Sequence, residues 1–334
     1  MVKVTVVLVT KRSRPHFEWA LESLKRQTFK DFEYIIVDGL YGDRKEVVID
    51  IVKKLDITFP VLHIPDKSSR WRGKRPAINN ARNTALVFAN GQYIVHHDDC
   101  CKMYDDWLER HVTWLDKGYM VAGNWIGCQS MDKNGKGVIG KSGLEYRSTI
   151  IKSPQVVTGG WLYGANMSFS VKTALDINGF DEDLDGEMGQ DDISFGIRAE
   201  RKGYKVMYDP KCCVEYYSSD HGLLMSFDED SNGNVWKSSP VEFNIAPVNI
   251  KLKDGKDHFS NEWLIEKLLC DKNKSSPYGN TIDIRGAREF MKKGGYSVPF
   301  MFNAMKGWIN SNKYDWRDKK LIEDKINLEN TRMG

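Results

Sequence analysis

The chain has 334 residues, 41% hydrophobic and 28% charged, with a formal net charge of +3 from 49 basic and 46 acidic side chains. This is an ordinary globular composition that can bury a sizeable core, and it is too near charge balance for a dedicated polyanion binder. The charge is uneven: residues 251–334 hold 17 Lys/Arg against 12 Asp/Glu, or +5, which reads first as a solvated helical surface.

Residues 2–9, "VKVTVVLV", form a β-branched run that predicts a strand buried on both faces. The six apolar-rich positions 4–9 are too few for a signal-peptide core, and no stretch approaches the ~18 apolar residues of a membrane span, so a soluble, cytoplasmic protein is expected. Phe17, Leu21 and Leu24 then fall at helical spacing. "FEYIIVD" predicts a second buried strand ending in Asp38, followed by the loop 39–43 and a helix over 44–55. Residues 57–65 read as a third strand, 66–76 as a charged loop, 77–89 as a helix, and 91–97 as a fourth strand that delivers Asp98 and Asp99. Strand–helix alternation over about a hundred residues predicts an α/β, Rossmann-like, mostly parallel sheet flanked by helices. Ligands of such sheets sit beyond the carboxyl ends of the strands, where Thr10, Asp38, Asp98 and Asp99 fall.

Beyond residue 120 the pattern loosens. Residues 132–143 suggest a hairpin or loop insertion, 159–180 a loop, a strand and a helix, and 181–209 an acidic loop feeding an amphipathic helix and a strand. Helices are expected near 260–270, 285–293, 300–310 and 316–328. The predicted organisation is a domain over 1–220, with a nucleotide-binding half (1–100) and an acceptor half (101–220). A C-terminal helical extension over 221–334 covers the acceptor side or forms a homodimer contact.

Four stretches carry chemistry. In "YIVHHDDCC" two adjacent carboxylates repel unless a cation holds them, so a divalent metal is the natural third party. Oxygen donors favour Mg²⁺ or Mn²⁺ over zinc. Strand alternation turns His96 and His97 to opposite faces, so the six polar neighbours cannot converge. The competing reading is an Asp pair capping the next helix. The cysteines Cys100, Cys101, Cys128, Cys212, Cys213 and Cys270 contain no C-x-x-C, which argues against structural zinc and for a reducing compartment. Asp191–Asp192 opens an amphipathic segment, as a helix cap or as a general base aimed at a bound hydroxyl. In "GGWLYGANM", glycines beside Trp161 and Tyr163 suggest close backbone approach with aromatic faces for a sugar ring, or core aromatics at a tight turn. In "RWRGKRPAINNARN", Lys74, Arg75 and Arg82 suit a diphosphate, against a plain basic surface loop. "GKRPA" is not a Walker motif, no G-x-G-x-x-G follows the first strand, which argues against a nicotinamide dinucleotide site, and without a G-x-S-x-G elbow a hydrolase triad has no support.

In this order the motifs resemble the nucleotide-sugar-dependent glycosyltransferases of family 2, with the GT-A fold. The resemblance spans about residues 1–215. It rests on the opening through "QTFKDFEYIIVD", on "ARNTALVFANGQYIVHHDDC", on "GGWLYGANMSFSVKTALDINGFDEDL" and on "DDISFGIRAERKGYKV". It implies that Thr10 and Asp38 contact the base and ribose of a nucleotide sugar, most often a uridine diphosphate sugar. Arg82 and Lys74 would lie near the diphosphate, with Asp98 beside them. Asp98 and Asp99 would hold Mn²⁺ or Mg²⁺, with Asp99 the better candidate for direct metal contact and His221 completing the shell. Gly160, Trp161 and Tyr163 would meet the acceptor. Asp192 would be the catalytic base of an inverting transfer, and Asp191 takes the place of the usual Glu. Two departures stand out: Gly39 replaces a second Asp, and Cys100 stands where the acidic motif commonly has its last carboxylate. The expected acceptor is a glycan, a small molecule or a modified nucleic acid base. A nucleotidyltransferase and a silent sugar-nucleotide-binding module are the competing classes.

Overall fold

The computed structural model of the chain describes residues 2–12, 15–65, 78–133, 135–181 and 191–217, four two-residue strands at Ser226–Phe227, Trp236–Lys237, Ile250–Lys251 and Asp257–His258, and Arg288. The four expected C-terminal helices, apart from Arg288, lie outside the described residues, as do Lys74, Arg75 and His221.

The first strands follow from their β-branched, apolar sequences. β1 (Val4–Thr10), β2 (Phe32–Asp38), β3 (Val61–Ile64) and β4 (Tyr93–His97) pair in parallel in the order β3-β2-β1-β4. Pleat alternation sorts their side chains into two cores. Val7, Ile35, Val37 and Ile94 pack with α3 (Ile78–Phe88), α6 (Val171–Asp176) and α7 (Asp191–Arg201) on one face. Val6, Leu8, Tyr34, Ile36 and Val95 pack with α1 (Phe17–Arg26), α2 (Tyr41–Lys54) and α4 (Trp107–Leu115) on the other. Both faces being covered explains why these strands read as continuous apolar runs rather than alternating ones.

The expectation of a mostly parallel sheet holds for this half. Beyond β4 the same sheet turns mixed, because β9 (Asn166–Ser170) joins antiparallel to β4 and β6 (Tyr119–Met131) antiparallel to β9. β10 (Lys205–Tyr216) then runs parallel to β6, and β5 (Cys101–Met103) closes the edge antiparallel to β10. The stretch 132–143 falls in a hairpin: it leads from β6 into β7 (Gly137–Leu144), contains most of that strand, and β7 pairs antiparallel with β6. The short β8 (Gln155–Val157) also pairs with β10.

Several boundaries differ from the sequence expectation. The third strand is only four residues long. Tyr34 N–H bonds to the Pro60 carbonyl just before it, and Pro60 itself has no N–H to give a ladder. α2 starts at Tyr41 rather than 44, because the Asp38 carboxylate takes the Leu40 N–H and turns the chain directly into the helix. β5 intervenes between Asp99 and α4, whose N-cap is Asp106, so Asp98 and Asp99 do not cap that helix.

Candidate active site

The parallel strands place their C-terminal residues side by side. Thr10 sits opposite Asp38 in the β1–β2 register, and Leu8 opposite His97 in β1–β4. Thr10 therefore lies beside the turn after β4, where its hydroxyl donates to Asp99 Oδ2 at 2.6 Å. Arg12, in the polar loop that follows β1, stands 3.3 Å from Asp99 Oδ1. Asp98 is half-buried, and its carboxyl is pushed up to about 6 by burial and by the charge of Asp99. Arg12 and Arg82 oppose that rise.

His96 and His97 point into opposite cores, as strand alternation demands. His96 contacts Phe169 and Phe180, and His97 lies against Tyr34 and Trp107. Burial pushes His97 down to about 4 and His96 well below its ordinary value, so both rings are neutral packing groups. The five described cysteines are free and buried, and burial raises the thiols of Cys101 and Cys212. Among the described residues no group of three or more His, Cys, Asp or Glu is placed to hold a metal ion.

Asp38 is fully buried and has four donors. Leu40 N–H reaches Oδ1 at 2.8 Å, His63 Nε2 reaches Oδ2 at 3.1 Å, and Arg44 spans both oxygens with Nε at 3.0 Å from Oδ2. Burial alone would raise this carboxyl; the His63 bond and the Arg44 charge outweigh it and hold Asp38 below its ordinary value. Four donors fill the accepting positions of a carboxylate. Neither Arg44 nor His63 stood out in the sequence, since one lies on a helix and the other in a strand with no motif around it.

The acidic pair at the start of α7 meets α3 and the 159–164 loop. α3 is buried along Asn79–Phe88, and its Arg82 forms an ion pair with Asp191. The guanidinium also lies 5.2 Å over the Phe180 ring. Asp192 Oδ2 accepts the Gly164 N–H at 2.6 Å, and Oδ1 accepts its neighbour Ile193 N–H at 2.8 Å. The capping reading is thus realised in part. Even so, burial first and the Asp191 charge second push the Asp192 carboxyl up to about 7.

Two glycines explain how loop and helix come so close. A Cβ on Gly159 would lie 2.2 Å from the Gly196 carbonyl oxygen, and one on Gly164 would lie 2.0 Å from Arg82 Nη2. Gly160 has only ordinary contacts around its missing Cβ, so packing does not require glycine there. Trp161 and Tyr163 are half-buried, with Trp161 edge-on to Tyr208 at 5.9 Å. Charge interactions join Arg82 to Asp98, Asp191 and Asp192, and Tyr163 to Asp192. The structure thus gathers Thr10, Arg82, Asp98, Asp99, Asp191, Asp192 and Tyr163 around the strand ends, and it keeps Asp38 sealed beneath them.

The chain is similar in fold to the S. aureus protein TarS (residues 1–349), at 18% identity and a TM-score of 0.47, covering 66% of this chain and 61% of that one. The UDP complex of the same protein matches at 17% identity and TM-score 0.46, covering 64% and 60%. GalNAc-T7 with UDP, GalNAc and Mn²⁺ matches at 16% identity and TM-score 0.45, covering 65% of this chain and 44% of that one. The chain spans less than two thirds of the length of each. No curated protein matches it. The model of the family described as glycosyl transferase family 2 matches residues 5–170. That stretch runs from β1 to the end of β9 and contains Thr10, Arg82 and the Asp98–Asp99 turn, and through it the chain belongs to glycosyl transferase family 2.

Proposed function

We propose that the protein transfers a sugar from a nucleoside diphosphate sugar, of the uridine diphosphate class, to an acceptor hydroxyl with inversion. The observation that carries this reading is Asp192. Its carboxyl is pushed up to about 7, it is held by the Gly164 N–H, and it faces Tyr163 across the loop. A base poised near working pH balances being ionised against proton affinity, and this kind of help is typically worth ~10²–10⁴ in rate. Asp192 takes the acceptor's proton as the hydroxyl attacks the anomeric carbon from the face opposite the diphosphate. One displacement inverts the centre, and the transition state is oxocarbenium-like. Asp191 holds Arg82, whose charge favours the ionised form of Asp192.

The donor set suits a hard cation, because two adjacent carboxylates with raised charge cost are relieved by one. Asp98 fits direct contact better than Asp99, whose two oxygens already face Thr10 and Arg12. A bound Mn²⁺ or Mg²⁺ would supply Lewis-acid stabilisation of the leaving diphosphate. Arg12 and Arg82 are the described cations placed to add to that stabilisation. Titrating the full chain with a panel of nucleotide sugars and Mn²⁺ tests the reading: slow release of nucleoside diphosphate supports it, and release of pyrophosphate, or binding without release, overturns it.

A further inference from the structure

The loop at 159–164 is tied down from two sides. On α7, Gly159 meets Gly196 backbone to backbone, and Gly159 N–H donates to Glu200 at 2.8 Å. On the opposite side stands a residue with no evident sequence signal, Arg147 on α5 (Tyr146–Ile150). Its side chain is 1% exposed. Its Nε and Nη2 both bond to Glu145, with Nη2–Oε2 at 2.9 Å, and Nη2 also donates to the Gly123 carbonyl on β6 at 2.8 Å. Nη1 donates to the carbonyl of Trp161. The guanidinium lies 4.0 Å over the Tyr163 ring and 5.0 Å over the Tyr208 ring.

A buried ion pair of this kind is weak evidence for stability, since apolar residues of equal volume often serve as well. What the planar fork supplies is direction. It fixes Trp161 through its backbone and Tyr163 through its ring, and the next residue, Gly164, bonds to Asp192. There is little slack at that point. Moving Gly164 away breaks a 2.6 Å bond, and moving it inward meets Arg82.

We propose that Arg147 is a positioning residue for the catalytic base: it holds the 159–164 loop so that Gly164 N–H stays on Asp192 and Tyr163 stays beside it. This rests on the reading of Asp192 as the base. The groups that face Asp192 are Asp191 on α7, Arg82 on α3 and Tyr163 on the loop, with Asp98 acting on Asp191 and Arg82 from the end of β4. The Gly164 and Ile193 N–H bonds pull the Asp192 carboxyl down. Losing the first therefore lets it rise further.

Carboxyl NMR titration of aspartate-labelled full-length protein tests this, with Asp192→Asn assigning the signal. Arg147→Met is expected to raise the Asp192 midpoint. It should slow nucleoside diphosphate release from UDP-sugars roughly tenfold or more, while the UDP dissociation constant stays within about twofold. Arg147→Lys, which keeps a charge over the rings but not the fork, should fall between. An unchanged Asp192 midpoint, UDP affinity falling in step with turnover, or unfolding of both variants would show Arg147 to be a framework residue only. If the wild type releases nothing from any nucleotide sugar, the glycosyltransferase reading fails, and the Asp192 midpoint still decides the role of Arg147.

Discussion

Thr10 donates its hydroxyl to Asp99 across two neighbouring strand ends at 2.6 Å, which leaves the paired carboxylates of the β4 turn unequal. Asp99 is held by Thr10 and Arg12; Asp98 is half-buried with a carboxyl pushed up to about 6. Asp98→Asn is therefore expected to raise the Mn²⁺ concentration needed for half-maximal nucleoside diphosphate release by about tenfold or more. Thr10→Val, which removes the hydroxyl that supports Asp99 and accepts the Arg12 N–H, should cost less than Asp98→Asn. The reverse order in a Mn²⁺ titration would assign the direct contact to Asp99.

On the proposed mechanism, Asp192 sets the pH dependence. The base works when ionised, so turnover should rise with pH through about 7 and then level off. Stability should move the other way. An unfolded Asp titrates near ~3.9, so between that value and about 7 the native state holds a proton that the unfolded state has lost. Stability contributed by the protonated form is thus lost as pH rises through the folded value. Asp192→Asn should lower turnover by ~10²–10⁴ with donor affinity unchanged, and should raise Tm relative to wild type at pH 8 more than at pH 5. Thermal scans at the two pH values check the second half, and near-normal turnover would remove Asp192 as the base.

Gly196 and Gly159 touch through their backbones, and a Cβ on Gly196 would lie 2.0 Å from the Gly159 carbonyl oxygen. Because the clash is with backbone, it cannot be relieved by a rotamer change. Gly196→Ala should cost ~1–3 kcal/mol in urea denaturation, as overpacking generally does. Gly160→Ala, where a Cβ would make only ordinary contacts, should cost little by the same measurement.

Asp38 is expected to act on the donor site through the groups it holds. Asp38→Ala strands the Arg44 guanidinium, whose side chain is 10% exposed, without its partner. Removing one partner of a buried pair typically costs ~3–5 kcal/mol, read as a lower urea midpoint. Since Asp38 is held below its ordinary value despite burial, its contribution is present above the unfolded value and is lost as pH falls through the folded one. Loss of UDP affinity at unchanged stability would instead make Asp38 a direct donor contact.

The sequence by itself determined the parallel half of the sheet, because strands covered on both faces leave runs such as "VTVVLVT" and "FEYIIVD" that little else explains. It also determined that Thr10, Asp38 and Asp98–Asp99 share one edge, since alternation of strands and helices fixes where strands end. Only the tertiary structure decided what surrounds each carboxylate there. Burial and neighbouring charge are long-range quantities: Arg82 and Asp191 are 109 residues apart, Thr10 and Asp99 are 89 apart, and the partners that seal Asp38 lie on a helix and a strand without a motif. The same reason hid Arg147, which looks like one more surface charge in "LEYRST" until the sheet closes over it. Periodicity records which way a residue faces, and the folded chain alone records what it faces.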